Sequence, residues 1–166
     1  AQTKTALAKD EIEIIIASGD MDTLQLVKDK KVQVYTLKKG LNDTVLYDEG
    51  AVVKRFGFSP EYFPDYKGLR GDPSDNIIGV KGIGEKTATI LIQNFGTIEE
   101  MYKKLKKDEK QFEKKGLTQR IVHLLKEGEE EALFSKMLAT IRKDAPISFS
   151  LPQKYFRESF DIQKAA

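Results

Sequence analysis

Gly79-Val80-Lys81-Gly82-Ile83-Gly84-Glu85-Lys86-Thr87-Ala88 is the stretch on which the reading of this chain turns. Three glycines in six residues let a backbone approach a ligand closely, and the residues that follow read as a helix whose first N–H groups point outward with the positive end of its dipole. That arrangement suits a phosphate. The stretch is not a dinucleotide loop, because no strand precedes it, and it lacks the Gly-Lys-Ser/Thr ending of a triphosphate loop. Residues 74–78 can form a helical turn on its other side, so the glycines read as a turn between two helical segments. Lys81 and Lys86 add charge suited to a DNA backbone without reading sequence. The alternative is an ordinary tight helix-helix turn with Ile83 plugged into a core.

Just upstream lies Gly71-Asp72-Pro73-Ser74-Asp75-Asn76, in which Asp72 and Asp75 stand three apart and share one face of a helical turn. Asp20 and Asp22 form a second pair in Ser18-Gly19-Asp20-Met21-Asp22, directly after the apolar run of residues 12–17. Four carboxylates in two tight pairs suit a divalent cation. The competing reading makes Asp20 and Asp72 helix caps only. The chain has no cysteine and a single histidine, His123, so any metal must be held by oxygen, which favours magnesium or manganese. Ser18 has no histidine base nearby, and His123 reads as a half-buried helix residue without a catalytic role.

Outward from these motifs, the β-branched run at 12–17 predicts a strand buried on both faces of a parallel sheet. A short helix over 23–27 and a second strand over 32–37 complete an α/β unit, and turn formers at 38–43 predict an edge hairpin to a strand at 44–47. Asp48 caps a helix ending at Gly57, and Ser59-Pro60-Glu61 opens a helix containing Tyr62 and Tyr66. Helices follow over 85–94, 97–105 and 117–141, the last interrupted near Gly128, with a charged connector at 103–110. Tyr62, Phe63 and Tyr66 read as core rather than as base-stacking platforms. The lysines of 103–115, Arg120 and Lys126 are further candidates for phosphate contact, against a solvated surface. Residues 1–9 read as the end of a helix.

The length of 166 residues and an apolar content of 40% suffice for a core. The formal charge of +2 balances 28 basic against 26 acidic residues, so any basic surface is local. No run of apolar residues approaches the roughly 18 needed to span a membrane, and a cytoplasmic location is expected.

Taken together, Ser18-Gly19-Asp20-Met21-Asp22 and the run from Gly71 to Ala88 resemble the 5′-nuclease domain of bacterial DNA polymerase I and the related flap endonucleases, over residues 12–141. The resemblance implies an α/β fold, with a partial, parallel-rich sheet and edge hairpin in 1–66, a helical helix-three-turn-helix DNA-binding region in 67–145 and an irregular tail in 146–166. It implies that Asp20, Asp22, Asp72 and Asp75 are catalytic metal ligands in a site that holds two magnesium (or manganese) ions when complete. Gly79, Lys81, Gly82, Gly84, Lys86 and Thr87 become the DNA contacts, with a potassium ion on backbone oxygens of the 79–84 turn. The implied partner is duplex or flap DNA, or an RNA–DNA hybrid, for a monomer fused to a polymerase in its parent. Further aspartates, a glutamate-aspartate cluster and a basic helical arch, which the family places upstream, have no counterpart here. The chain is therefore expected to be an N-terminally truncated portion with little activity alone; the rival expectation is a non-catalytic duplex-binding module.

Overall fold

The structure, a computed structural model, describes residues 12–37 and 43–150. The chain divides into two units, one of residues 13–141 and one of 1–12 with 142–166. In the second, described residues 142–150 have no regular secondary structure, and the Arg142 guanidinium pairs with Asp144 at 2.9 Å.

The first unit is a mixed α/β structure with a small sheet and many helices. Strand β1, Ile14–Ala17, pairs in parallel with β2, Val32–Leu37, and β3, Thr44–Tyr47, pairs antiparallel with β2. The antiparallel edge is as expected, while the turn at 38–42 lies outside the described residues, as do residues 1–11. β1 departs from expectation. Its residues alternate in burial, with Ile15 59% exposed, because among the described residues the helices cover only the face bearing Ile16, Val34 and Tyr47. A continuous β-branched run thus satisfies the pattern for a doubly covered strand without being one among the described residues.

Between β1 and β2 the short helix is a 3-10 segment, Met21–Leu26, which starts two residues earlier than the apolar spacing suggests. Asp20 sets that start by accepting the N–H of Asp22, and Leu24 is fully buried. Helix α1, Glu49–Phe56, is capped by Asp48, whose carboxylate accepts the Ala51 N–H, and stopped by Gly57 at φ 82°. Ser59 and Pro60 lead into a 3-10 turn, Pro60–Tyr62, and α2 is Phe63–Arg70. Phe63 and Tyr66 lie in the core, with Phe56 and Phe58 packed edge-on or tilted against them.

Helix α3, Glu85–Phe95, stops at Gly96, and α4, Ile98–Lys107, is capped by the Thr97 hydroxyl. The lysines expected in a connector belong largely to α4, and a short α5, Lys110–Glu113, follows. Phe112 within it is fully buried and stacks on Phe95 at 3.9 Å between centroids. The expected interruption at Gly128 separates α6, Gln119–Glu127, from α7, Glu129–Ala139. His123 is 68% exposed rather than half-buried, and it faces Glu127 at 3.3 Å.

α2 packs along α7 at Gly68, where an added Cβ would stand 2.6 Å from Ile98 Cδ1 and 2.8 Å from the Ala132 carbonyl. The buried Asp65 carboxylate locks the same crossing by accepting the Ile98 N–H and pairing with Lys136 at 2.7 Å. Gly68→Ala should lower stability by about 1–2 kcal/mol, since crowding a backbone carbonyl outweighs a helix-propensity gain of roughly 1 kcal/mol. Urea unfolding checks this: the midpoint should fall at constant slope.

Candidate metal centre and nucleic-acid interface

The last turn of α2 and the loop after it build the site. Lys67 points from α2 toward the 3-10 segment after β1, and its ammonium pairs with Asp22, with Asp72 Oδ2 at 2.6 Å and with Asp75 Oδ2 at 3.6 Å. Asp22, Asp72 and Asp75 each turn one carboxylate oxygen to a common point, all within 4.8 Å of one another. Asp20 is not part of that group. It is exposed, and its Oδ1 accepts the Asp22 N–H at 2.8 Å, the capping geometry. Asp72 takes both roles: Oδ1 accepts the Ser74 N–H at 3.0 Å and the Ser74 hydroxyl at 2.6 Å, which leaves Oδ2 for the cluster.

The electrostatics follow from three carboxylates sharing one ammonium. Burial pushes the Asp22 carboxyl above its ordinary value, more than Lys67 draws it down, and Asp20 and Asp75 add to the rise. At Asp72 burial also pushes upward, but Lys67 and Ser74 together hold the carboxyl below its ordinary value. Burial opposes the charge on Lys67, yet Asp22 and Asp72 outweigh it and hold the ammonium above its usual range. The cluster keeps two formal negative charges unbalanced. Hard carboxylate oxygens with excess negative charge are the donor set that magnesium and manganese take. These residues fit a divalent ion.

A cleft opens beside the carboxylates, lined by Arg55, Phe56, Phe63, Tyr66 and Arg70. The guanidinium of Arg70 lies over the Tyr66 ring at 5.7 Å, and that of Arg55 over Phe56 at 4.9 Å. Burial pushes the Tyr66 phenol up to about 12.

The glycine turn is sewn to the carboxylate loop through the backbone. Asp72 and Ile77 exchange both backbone hydrogen bonds, at 2.8 and 2.9 Å, and the Val80 N–H donates to Leu69 O at 2.9 Å. Gly79 is buried, and its N–H donates to Ser135 Oγ on α7 at 3.0 Å, so that group is not presented to a ligand. Ile83 and Val80 fill the core beneath the turn, as the plug reading holds. Above them Lys81, Gly82, Gly84 and Lys86 are exposed and Thr87 is half-buried. Gly84 starts α3 without a side-chain cap, leaving the first-turn N–H groups to an outside acceptor. Of the other candidate cations, Lys106 pairs with Glu129 and Lys126 with Glu109.

A family model described as 5′-3′ exonuclease, C-terminal SAM fold, matches residues 58–162. The chain belongs to the 5′-3′ exonuclease family. Its relatives include DNA polymerase I of Bacillus caldotenax, 44% identical over 90% of this chain and 16% of that protein. A protein named 5′-3′ exonuclease in Buchnera aphidicola subsp. Baizongia pistaciae is 38% identical over 88% of this chain and 46% of its own length. The chain thus spans less than half of these relatives. A solved structure of T5 5′-exonuclease with bound divalent zinc ions superposes with a TM-score of 0.61 at 25% identity, covering 76% of this chain and 42% of that one. The family is one of nucleases, and the mixed α/β fold is that of a 5′-exonuclease.

Sequence reasoning missed Lys67, Ser135 and the two arginines. Lys67 lies 45 residues from Asp22 along the chain, and a lysine in a helix reads as solvated. Gly79→Ala should destabilise the fold by at least about 2 kcal/mol, because φ is 66° and the added Cβ would stand 2.2 Å from Gly71 N. Gly84→Ala meets nothing within 4 Å and should stay within roughly 0.5 kcal/mol of the parent. Thermal melts of the two variants make the comparison.

Proposed function

We propose that this chain is the DNA-gripping portion, with part of the metal site, of a magnesium-dependent, structure-specific 5′-3′ exonuclease or flap endonuclease acting in DNA replication and repair. The observation that carries it is the convergence of Asp22, Asp72 and Asp75 on one point, only a short loop from the exposed lysines of the glycine turn. These three carboxylates would hold a magnesium or manganese ion. When bound, such an ion neutralises charge on a phosphodiester and lowers the pKa of a bound water. Asp20 fixes the direction of Asp22 by capping its segment and completes the acidic rim. Ser74 fixes Asp72 in the same way.

In this reading Lys81 and Lys86 lie along a DNA backbone, Gly82 and Gly84 let it approach, and the N–H groups of the first turn of α3, with Thr87, meet a phosphate. Gly79 acts from beneath by fixing the turn on α7. The substrate is duplex or flapped DNA, or an RNA–DNA hybrid, bound by a monomer that a polymerase follows in the whole protein. Three converging carboxylates suffice for one ion, so the chain alone binds metal and cleaves weakly or not at all.

Calorimetric titration with manganese tests the metal half. One saturable site is expected, and Asp72→Asn with Asp75→Asn should weaken it at least tenfold; undiminished binding by that double variant rules out the assignment. For the grip, Lys81→Ala and Lys86→Ala should each weaken duplex binding equally for unrelated sequences and reduce the salt slope by about 1. Fluorescence anisotropy across a salt series reads both quantities, and an unchanged slope removes the phosphate contact.

A further inference from the structure

The geometry points to Lys67 as a tethered counter-cation that competes with the divalent ion for Asp22, Asp72 and Asp75, so that metal loading is an exchange of ion for ammonium. This rests on the proposed metal site and adds to it a residue that the ion must displace. Three observations carry it. Lys67 is only 7% exposed, and its ammonium meets the same three carboxylates that converge on one point. Asp72 has a single oxygen to give, because Ser74 holds Oδ1, and Lys67 holds the other at 2.6 Å. The backbone of α2 cannot carry the ammonium away, since the next residue, Gly68, is wedged against Ile98, Ala132 and Lys136.

The consequence is a division of labour between two cations. Without metal, three half-buried or exposed carboxylates at contact distance would repel one another and splay the 72–77 loop away from the segment after β1; the ammonium holds them together. With metal, an ion and an ammonium on one oxygen set repel, and the flexible lysine stem lets the ammonium swing aside while α2 stays in place. The carboxylates are thereby held near their liganding arrangement before the ion arrives. The cost is affinity: the ion binds only as tightly as its advantage over the ammonium allows.

Lys67→Met keeps the apolar stem and removes the charge. Manganese titration and thermal melting in EDTA should give opposite effects in this variant: manganese affinity at least tenfold tighter than the parent, and a metal-free Tm below it, with saturating manganese restoring most of the difference. Lys67→Arg should keep the weaker affinity. Manganese affinity in Lys67→Met equal to or weaker than the parent overturns the exchange. Should Lys67→Met fail to fold, the parent supplies the readout by NMR of lysine ε-carbons. On magnesium addition the Lys67 resonance should move to the position of solvated lysines, and a stationary resonance overturns the exchange. The two readings fail separately. A parent that binds manganese through Asp72 and Asp75 with Lys67→Met unchanged removes only the exchange, whereas binding by neither protein removes the metal site as well. Binding by Lys67→Met alone is the extreme form of the expected result.

Discussion

Gly71 and Gly79 meet backbone to backbone, and the close approach is possible only because neither carries a Cβ: one added at Gly71 would stand 2.4 Å from Ile78 O, and one at Gly79 would stand 2.2 Å from Gly71 N. Both have left-handed φ values, 78° and 66°. That contact closes the 72–77 loop, whose ends are paired through Asp72 and Ile77, and it turns the chain so that Val80 can bond to Leu69. The carboxylates of the loop therefore face Lys67, while the lysines beyond Gly79 face solvent. The proposed grip and the proposed metal site are two sides of one constrained turn, with Ser135 of α7 fastening it from below.

The charges depend on that constraint. Asp72 can have its carboxyl held down and Asp22 pushed up, although both touch the same ammonium, because their other surroundings differ. Asp72 has Ser74 as a second donor. At Asp22 the effect of burial outweighs that of Lys67, and Asp20 and Asp75 are negative neighbours. Asp75, with its side chain 51% exposed, is the member with most freedom to move toward a ligand. Burial, hydrogen bonding and like-charge repulsion thus act on the chemically identical Asp22 and Asp72 in different proportions.

Local signals carried much of the fold. Asp48, Gly57, Gly96 and Thr97 mark boundaries because caps and positive-φ stops act within one helical turn, and the structure has breaks at each, with a further break at Gly128, whose φ is −99°. The readings that went astray depended on what lies across the fold. Whether β1 is covered on one face or two is set by neighbours, not by its own β-branched residues. A lysine run split into the end of α4 and the short α5 because Phe112 found Phe95 to stack on. At the site, proximity of Asp72 to Asp75 was legible from spacing. The approach of Asp22 was expected from the family resemblance rather than from spacing, and the arrival of Lys67 was not legible, since it leaves a helix face that reads as solvated.

Asp72 shows why capping and liganding were hard to separate from sequence. They do not compete for the residue, because Oδ1 takes the cap bonds and Oδ2, paired with Lys67, is left for the proposed ion. A cap bond to Ser74 fixes the plane of the carboxyl, and a fixed plane aims the remaining oxygen at the cluster without the entropy loss a free side chain would suffer on binding. The turn chemistry of Gly-Asp-Pro-Ser-Asp is therefore part of the site's preorganisation rather than an alternative to it. Asp20 does the same one step removed, capping the segment that carries Asp22.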